Sequence, residues 1–288
     1  MKGLSLGSLS EKRTNHLKET FAKRDIELDV MSSYELDKQL KCGKLTRPLS
    51  QYWDFCVLDY AGDKKYKDMC KTLTEDGVRL FNTVAATDIC RNKWTTYQTL
   101  RKHNIPQMPT YENYRAALNA GLGTGKVVVK ARHGRKGENM FLCSNRNEVL
   151  AAIKELKKHN RSFIIQEFCE TTNNRAARVY CIRDKGVGGY IAYNPDSFKA
   201  NLAQGATMLD EQPPASFFLV AEKVARIIGT DLCGIDFLYG ENGVPIVCEV
   251  NSMPGFHRQR AEEGGFDLAA LFVDHIINET LQKYNTEV

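Results

Sequence analysis

The stretch DLCGIDFLYGENGVPIVCEVNSMPGF, residues 231–256, organises the reading of the chain. A short apolar run carries Asp236, a turn follows at Gly240-Glu241-Asn242-Gly243, and a second run from Ile246 to Val250 leads into Asn251. Asn-Gly between two such runs predicts a hairpin. Side chains alternate faces along a strand, so Glu249 and Asn251, two residues apart, share one face. Closing the hairpin brings Asp236 of the partner strand beside them. Three oxygen donors, two of them anionic, suit Mg²⁺ or Mn²⁺, hard cations that take carboxylates together with substrate phosphates. On these residues alone the alternative is an ordinary half-exposed hairpin whose acidic positions face water.

The rest of the chain decides between them. Its 288 residues suffice for one large domain or two to three small ones. Forty Lys and Arg against 35 Asp and Glu leave +5, too small and dispersed an excess to argue for nucleic acid. It suits acidic small molecules or acidic protein tails. Nine cysteines occur without a C-x-x-C pair, and Cys56, Cys181, Cys233 and Cys248 sit in apolar runs, as reduced core residues do. The start, MKGLSLGSLSEK, is too polar for a signal peptide, and no segment approaches ~18 uninterrupted apolar residues. The expectation is a soluble cytoplasmic protein with no membrane partner.

Residues 1–88 read as a small α/β unit. Strands are predicted around Leu4 and Leu6, at Ile26 to Met31, at Phe55 to Tyr60 and at Val78 to Asn82, with helices at 15–24 and 64–76. Alternation of this kind implies a parallel sheet. No G-x-G-x-x-G follows the first strand, so no dinucleotide site is expected there. One capped helix is predicted over Asp88 to Lys102; Pro106 and Pro109 then fix an extended connection. Gly121 to Lys126 is not a phosphate loop, since its glycines are one residue too close and Val127 stands where Ser or Thr belongs. Val127-Val-Val-Lys130 is a buried strand ending in a lysine, and the basic, glycine-containing loop after it, up to Gly137, forms either a flap over phosphates or a solvated hairpin loop. Further strands fall at Phe163 to Phe168 and around the Asp184-Lys-Gly turn, and helices at 147–159, 216–228 and 266–284. His275 lies on the last helix as a core or boundary residue.

In order, these elements resemble the ATP-grasp superfamily, and within it the RimK-like amino-acid ligases. The resemblance runs from Cys90-Arg-Asn-Lys93 through Lys130, Ile164 to Phe168, Arg178, Phe198 to Leu202 and CGIDF, to EVNSMPGF, its most specific element. It implies an α/β fold of ATP-grasp type: a parallel pre-ATP-grasp domain over 1–88, then an ATP-grasp domain over 89–288. Two subdomains with antiparallel sheets, about 106–165 and 166–288, would clasp ATP. The resemblance assigns nucleotide contacts to Lys93, Lys130, the flap residues Gly134, Arg135, Lys136 and Gly137, and the adenine-side hinge Gln166, Glu167 and Phe168. Asp236, Glu249 and Asn251 would hold two Mg²⁺ or Mn²⁺ ions. Arg178 and Asn201 would steady the transferring phosphoryl group, with Lys199 where the family has arginine.

The implied activity is ATP-dependent ligation of a carboxylate to an amine through an acyl phosphate. One partner is an amino acid such as glutamate, and the acceptor is a small molecule, peptide or protein tail; relatives commonly form homo-oligomers. The alternatives are a nucleotide-binding module without turnover and a kinase-like phosphoryl-transfer enzyme. The chain departs from the family at Ala176, where an acidic residue usually contacts ribose, so that contact is missing or supplied by Asn173 or Asn174. It departs again at Ala203-Gln-Gly-Ala206 on the acceptor side. His257-Arg-Gln-Arg260 is either a carboxylate-binding segment or a solvated basic loop.

Overall fold

The computed structural model describes residues 1–7, 11–59, 63–121, 125–134, 138–197, 202, 205–209, 211–256 and 266–286. One compact unit comprises Met1–Thr87, Thr230–Leu232 and Met253–Val288. Its core is a parallel sheet of β1 (Lys2–Gly7), β2 (Glu27–Met31), β3 (Phe55–Asp59) and β4 (Arg79–Phe81), in the order β2-β1-β3-β4. Helices α1 (Glu11–Ala22), α2 (Ser33–Lys41) and α3 (Lys64–Glu75) make the crossovers that parallel strands require. Asp63 caps α3 by accepting the Tyr66 N–H, and the helical period turns Tyr66, Met69, Cys70 and Leu73 inward against Leu4, Leu6 and Cys56. Only glycine fits at the end of β1: Gly7 has φ +138°, and a Cβ there would lie 1.8 Å from the Asp59 carbonyl oxygen. Helix α2, capped by Ser32, was not expected from the sequence.

The last helix belongs to this unit, whereas the sequence reading places it in the domain that begins at 89. Its apolar stripe, Phe272, Val273 and Ile276, is fully buried, and Asp274 pairs with Arg24 of the segment after α1 at 2.5 and 3.0 Å. His275 packs edge-on against Phe81 and lies 3.4 Å from buried Asp231. Asn82 clips the neighbouring segment: its Oδ1 accepts the N–H groups of Asp231 and Leu232 at 2.5 and 3.0 Å, and its Nδ2 donates to the Leu232 carbonyl at 2.9 Å.

The second compact unit comprises Asp88–Gly229 and Cys233–Ser252. Residues 88–102, expected as one helix, are interrupted at Asn92, whose side chain accepts the N–H groups of Trp94 and Thr95. It thereby ends α4 (Val84–Arg91) and starts α5 (Lys93–Arg101). One antiparallel sheet runs β5-β8-β6-β7, with β5 (Thr110–Tyr111), β6 (Val127–Ala131), β7 (Met140–Cys143) and β8 (Phe163–Glu167). Helices α6 (Tyr114–Asn119) and α7 (Arg146–Lys158) accompany it, and α7 buries Val149, Ile153 and Leu156 with Val127, Val129 and Ile165. The other sheet runs β11-β10-β9-β12-β13, with β9 (Arg175–Ile182), β10 (Lys185–Tyr193), β11 (Thr207–Leu209), β12 (Leu232–Tyr239) and β13 (Pro245–Asn251). Helix α8 (Ala215–Ile228) packs on β9 and β10.

Candidate active site

The hairpin closes as its sequence predicts, with Asp236 directly opposite Glu249 and Gly234 opposite Asn251. The register slips by one residue after Asp236, which pairs Phe237 with Val247 and leaves Cys248 as the extra residue of a bulge. Cys248 and Glu249 consequently line the same cavity although they are sequence neighbours. Two carboxylates directly across an antiparallel pair repel. Each is therefore held by a cation. Arg178 on β9 forks onto Asp236, Nε to Oδ1 at 2.5 Å and Nη2 to Oδ2 at 2.6 Å. Burial alone opposes the Arg178 charge, but the field and hydrogen bonds of Asp236 outweigh it and hold the guanidinium protonated well beyond its ordinary range.

Lys93 opens α5, and its backbone N–H is tied to the Arg132 carbonyl at 3.0 Å. Its ammonium donates to Glu249 Oε1 at 3.0 Å and to the Gly134 carbonyl at 3.1 Å. Asn251 Nδ2 donates to Asp236 Oδ2 at 3.2 Å, which leaves its oxygen for a cation. The donor set is all oxygen, on adjacent strands, and fits Mg²⁺ or Mn²⁺. Two carboxylates and one amide are too few to enclose a hard cation, so its remaining positions fall to substrate oxygens and water.

Lys130 ends the valine run of β6 and is only 5 % exposed. It donates to Gln166 Oε1 at 2.8 Å; Gln166 Nε2 donates to Thr110 Oγ1 at 2.9 Å, and Thr110 donates to the Met108 carbonyl at 2.9 Å. A buried ammonium offered an amide in place of a carboxylate retains a strong demand for an anion. Glu167 accepts the Tyr111 hydroxyl at 2.7 Å, and burial followed by this bond pushes the phenol up to about 12. Sequence reasoning missed Thr110 and Tyr111. Their only signal was a β-branched and an aromatic residue following Pro109.

Between the sheets lies a cavity of about 150 Å³, charged at one end by Lys93, Lys130, Arg178, Asp236 and Glu249. Its other end is lined by Phe168, Cys169, Ala176, Ala192 and Leu238. Gly134, Gln166 and Glu167 also line it. Thus Lys93, Lys130, Gly134, Gln166, Glu167, Phe168, Arg178, Asp236 and Glu249 converge on one cavity, and Asn251 adjoins it through its bond to Asp236. Arg135, Lys136, Gly137, Lys199 and Asn201 lie outside the described residues, as does His257 to Arg260.

The RimK-like ATP-grasp domain family matches residues 90–276, the span that carries this cavity. The chain belongs to the RimK-like ATP-grasp family. Among curated relatives of the RimK-like chain, beta-citrylglutamate synthase B of Danio rerio is 29 % identical over 217 residues, 72 % of this chain and 52 % of that protein. A probable alpha-L-glutamate ligase of Haemophilus ducreyi is 25 % identical over 228 residues, 77 % of this chain and 69 % of that one. The chain spans about half the length of the first curated relatives it matches. In fold it is similar to D-alanine–D-alanine ligase from Bacillus anthracis complexed with ATP, with a TM-score of 0.74 and 17 % identity, covering 100 % of this chain and 99 % of that one. In this chain the parallel sheet and the two antiparallel sheets make up an ATP-grasp fold. Among the described residues, no helix of this RimK-like chain is long and apolar enough to cross a membrane.

Proposed function

We propose that this RimK-like ATP-grasp chain is an ADP-forming carboxylate-amine ligase. The observation that carries the reading is the convergence of Lys93, Lys130 and Arg178 with Asp236 and Glu249 on one cavity, cations for a polyphosphate beside oxygen donors for its divalent metal. Adenine lies against the hinge of Gln166, Glu167 and Phe168. The phosphates reach Lys130, and Lys93 exchanges Glu249 for a phosphate oxygen. Asp236, Glu249 and Asn251 would hold two Mg²⁺ or Mn²⁺ ions, which when bound supply charge neutralisation between the two reacting anions. Arg178, with Asn201 and Lys199, steadies the phosphoryl group as charge moves. Gly134 to Gly137 covers the phosphates and keeps water from the reaction.

The bonds follow from this placement. An oxygen of the substrate carboxylate attacks the γ-phosphorus and ADP leaves, giving an acyl phosphate. The amine nitrogen then attacks the acyl carbon, phosphate leaves, and the nitrogen loses a proton to give the amide. No enzyme nucleophile is required. The names of both curated relatives contain glutamate, which supports an amino acid such as glutamate as one partner. The other is a small molecule, a peptide or a protein tail. Residues 1–88 serve as the pre-ATP-grasp domain and 89–288 as the ATP-grasp domain, whose last helix packs within the first compact unit. A cytoplasmic location suits nine free cysteines.

Purified protein with Mg-ATP and pools of amino acids, with and without peptide acceptors, tests the reading. ADP and phosphate released only with particular amino acids establish ligase chemistry. ATP binding without such release from any pool refutes turnover and leaves a nucleotide-binding module.

A further inference from the structure

We infer that the cavity holds the nucleotide's sugar without reading its 2′-hydroxyl, so that ATP and 2′-deoxy-ATP bind alike, and that Ala176 is the position that sets this tolerance. The inference rests on the nucleotide reading of the cavity given above.

Ala176 pairs with Ala192 across β9 and β10, and Arg178 pairs with Tyr190. Alternation puts Ala176 on the face of Arg178, and Leu238 on the face of Asp236 two residues earlier in β12. One step along the strands from the charged row there is therefore a row of hydrocarbon, Ala192, Ala176 and Leu238, and all three line the cavity. This row lies toward the hinge. Cys169, next to Phe168, contacts the Tyr239 carbonyl at 3.6 Å, immediately beyond Leu238. A nucleotide with its phosphates on the charged row and its base at the hinge must lay its sugar here, because the sugar joins the two.

Thr172 and Asn174, described hydrogen-bonding residues just before β9, have partners away from that row. The Thr172 hydroxyl donates to the Arg175 carbonyl. Asn174 Nδ2 donates to the Pro195 carbonyl at 3.4 Å, Asn173 is exposed, and neither residue lines the cavity. Among the described lining carboxylates, Glu167 holds Tyr111, Asp236 holds Arg178 and Glu249 holds Lys93. Glu138 comes from the other sheet, in the loop between β6 and β7 that also carries Gly134. A site built to hydrogen-bond a hydroxyl rejects the analogue lacking it because a buried acceptor is left unpaired. Facing methyl groups, the sugar loses no partner when its 2′-oxygen is removed.

The test is calorimetric titration of the full chain with ATP and with 2′-deoxy-ATP, both with Mg²⁺ and without acceptor, on wild type, Ala176→Asp and Ala192→Asp. Wild-type Kd values within about threefold of each other are expected, the range left when no hydrogen bond is at stake. Ala176→Asp should favour ATP over the deoxy analogue by about tenfold or more. A wild-type preference for ATP of about tenfold overturns the inference without any variant. A folded Ala176→Asp protein that binds ATP with an unchanged ratio overturns the placement, and so does a shift produced by Ala192→Asp but not by Ala176→Asp. Failure of wild type to bind either nucleotide refutes the parent nucleotide reading, a result distinct from binding ATP and rejecting its deoxy analogue.

Discussion

Lys93 and Glu249, 156 residues apart in the chain, meet as an ion pair, Nζ to Oε1 at 3.0 Å, with side chains 14 % and 26 % exposed. The pair screens Glu249 from Asp236 directly opposite it. The contact is replaceable on both sides, since a phosphate can take the ammonium and a divalent cation the carboxylate. Substrate binding therefore trades one set of charge pairs for another, so neither charge is left bare in the cavity.

Glu249→Gln keeps the shape and removes the anion. Turnover should fall about a hundredfold or more, the scale of losing one preorganised electrostatic group at a reacting centre. The metal concentration giving half-maximal ADP release should rise. Titrating Mg²⁺ against ADP release checks both, and an unchanged metal dependence would remove Glu249 from the ligand set.

Lys130→Met fills the same space without the charge. Charge-assisted bonds contribute about 1.5–3 kcal/mol, so ATP affinity should drop about tenfold or more while AMP affinity changes little. Calorimetry with both nucleotides decides it. Equal losses for ATP and AMP would show that Lys130 supports the base end instead of the phosphates.

Thr110→Val leaves the buried Gln166 amide without its acceptor. A loss of about 1–3 kcal/mol in unfolding free energy is expected from urea titration, with Thr110→Ser close to wild type. If valine is as stable as threonine, the Lys130-Gln166-Thr110 relay does not hold the pocket wall.

Tyr111 carries a pH signature. Burial and the Glu167 carboxylate favour its neutral form, raising it from an ordinary value of 10 to about 12. A group whose folded pKa is raised gives stability that is full below its unfolded pKa and lost as pH rises through the folded one. The contribution should therefore be present up to about pH 10 and disappear toward about pH 12. Urea unfolding of wild type and Tyr111→Phe should show their stability difference shrinking over that window; a constant difference would contradict the Tyr111–Glu167 bond.

The hairpin of Asp236 and Glu249 was legible in the sequence because strand alternation is a local rule that holds from Glu249 to Asn251; the bulge at Cys248, which interrupts it, left no signal. Lys130 was legible for the same reason, as the sole charge ending a buried valine strand. The break at Asn92 was not, since helical spacing continues on both sides and a good cap residue is also tolerated within a helix. Helix α2 escaped because its nine residues bury only Ser33 and Leu36, too few anchors for a period to show. Thr110 and Tyr111 form a strand of two residues, shorter than any period. The last helix joins the first unit through contacts such as Arg24 with Asp274, 250 residues apart, and proximity in sequence carries no trace of them.

The Asn82 clip has a consequence for strand β12. By accepting from two successive N–H groups and donating to a carbonyl of the same stretch, the amide treats residues 231–232 as a neighbouring backbone would. A slip of one residue would swing Asp236 to the opposite face of its sheet. Three hydrogen bonds with Asn82 hold the backbone of Asp231 and Leu232 where β12 begins. Asn82 thus anchors the entry to the strand that carries a carboxylate it never touches.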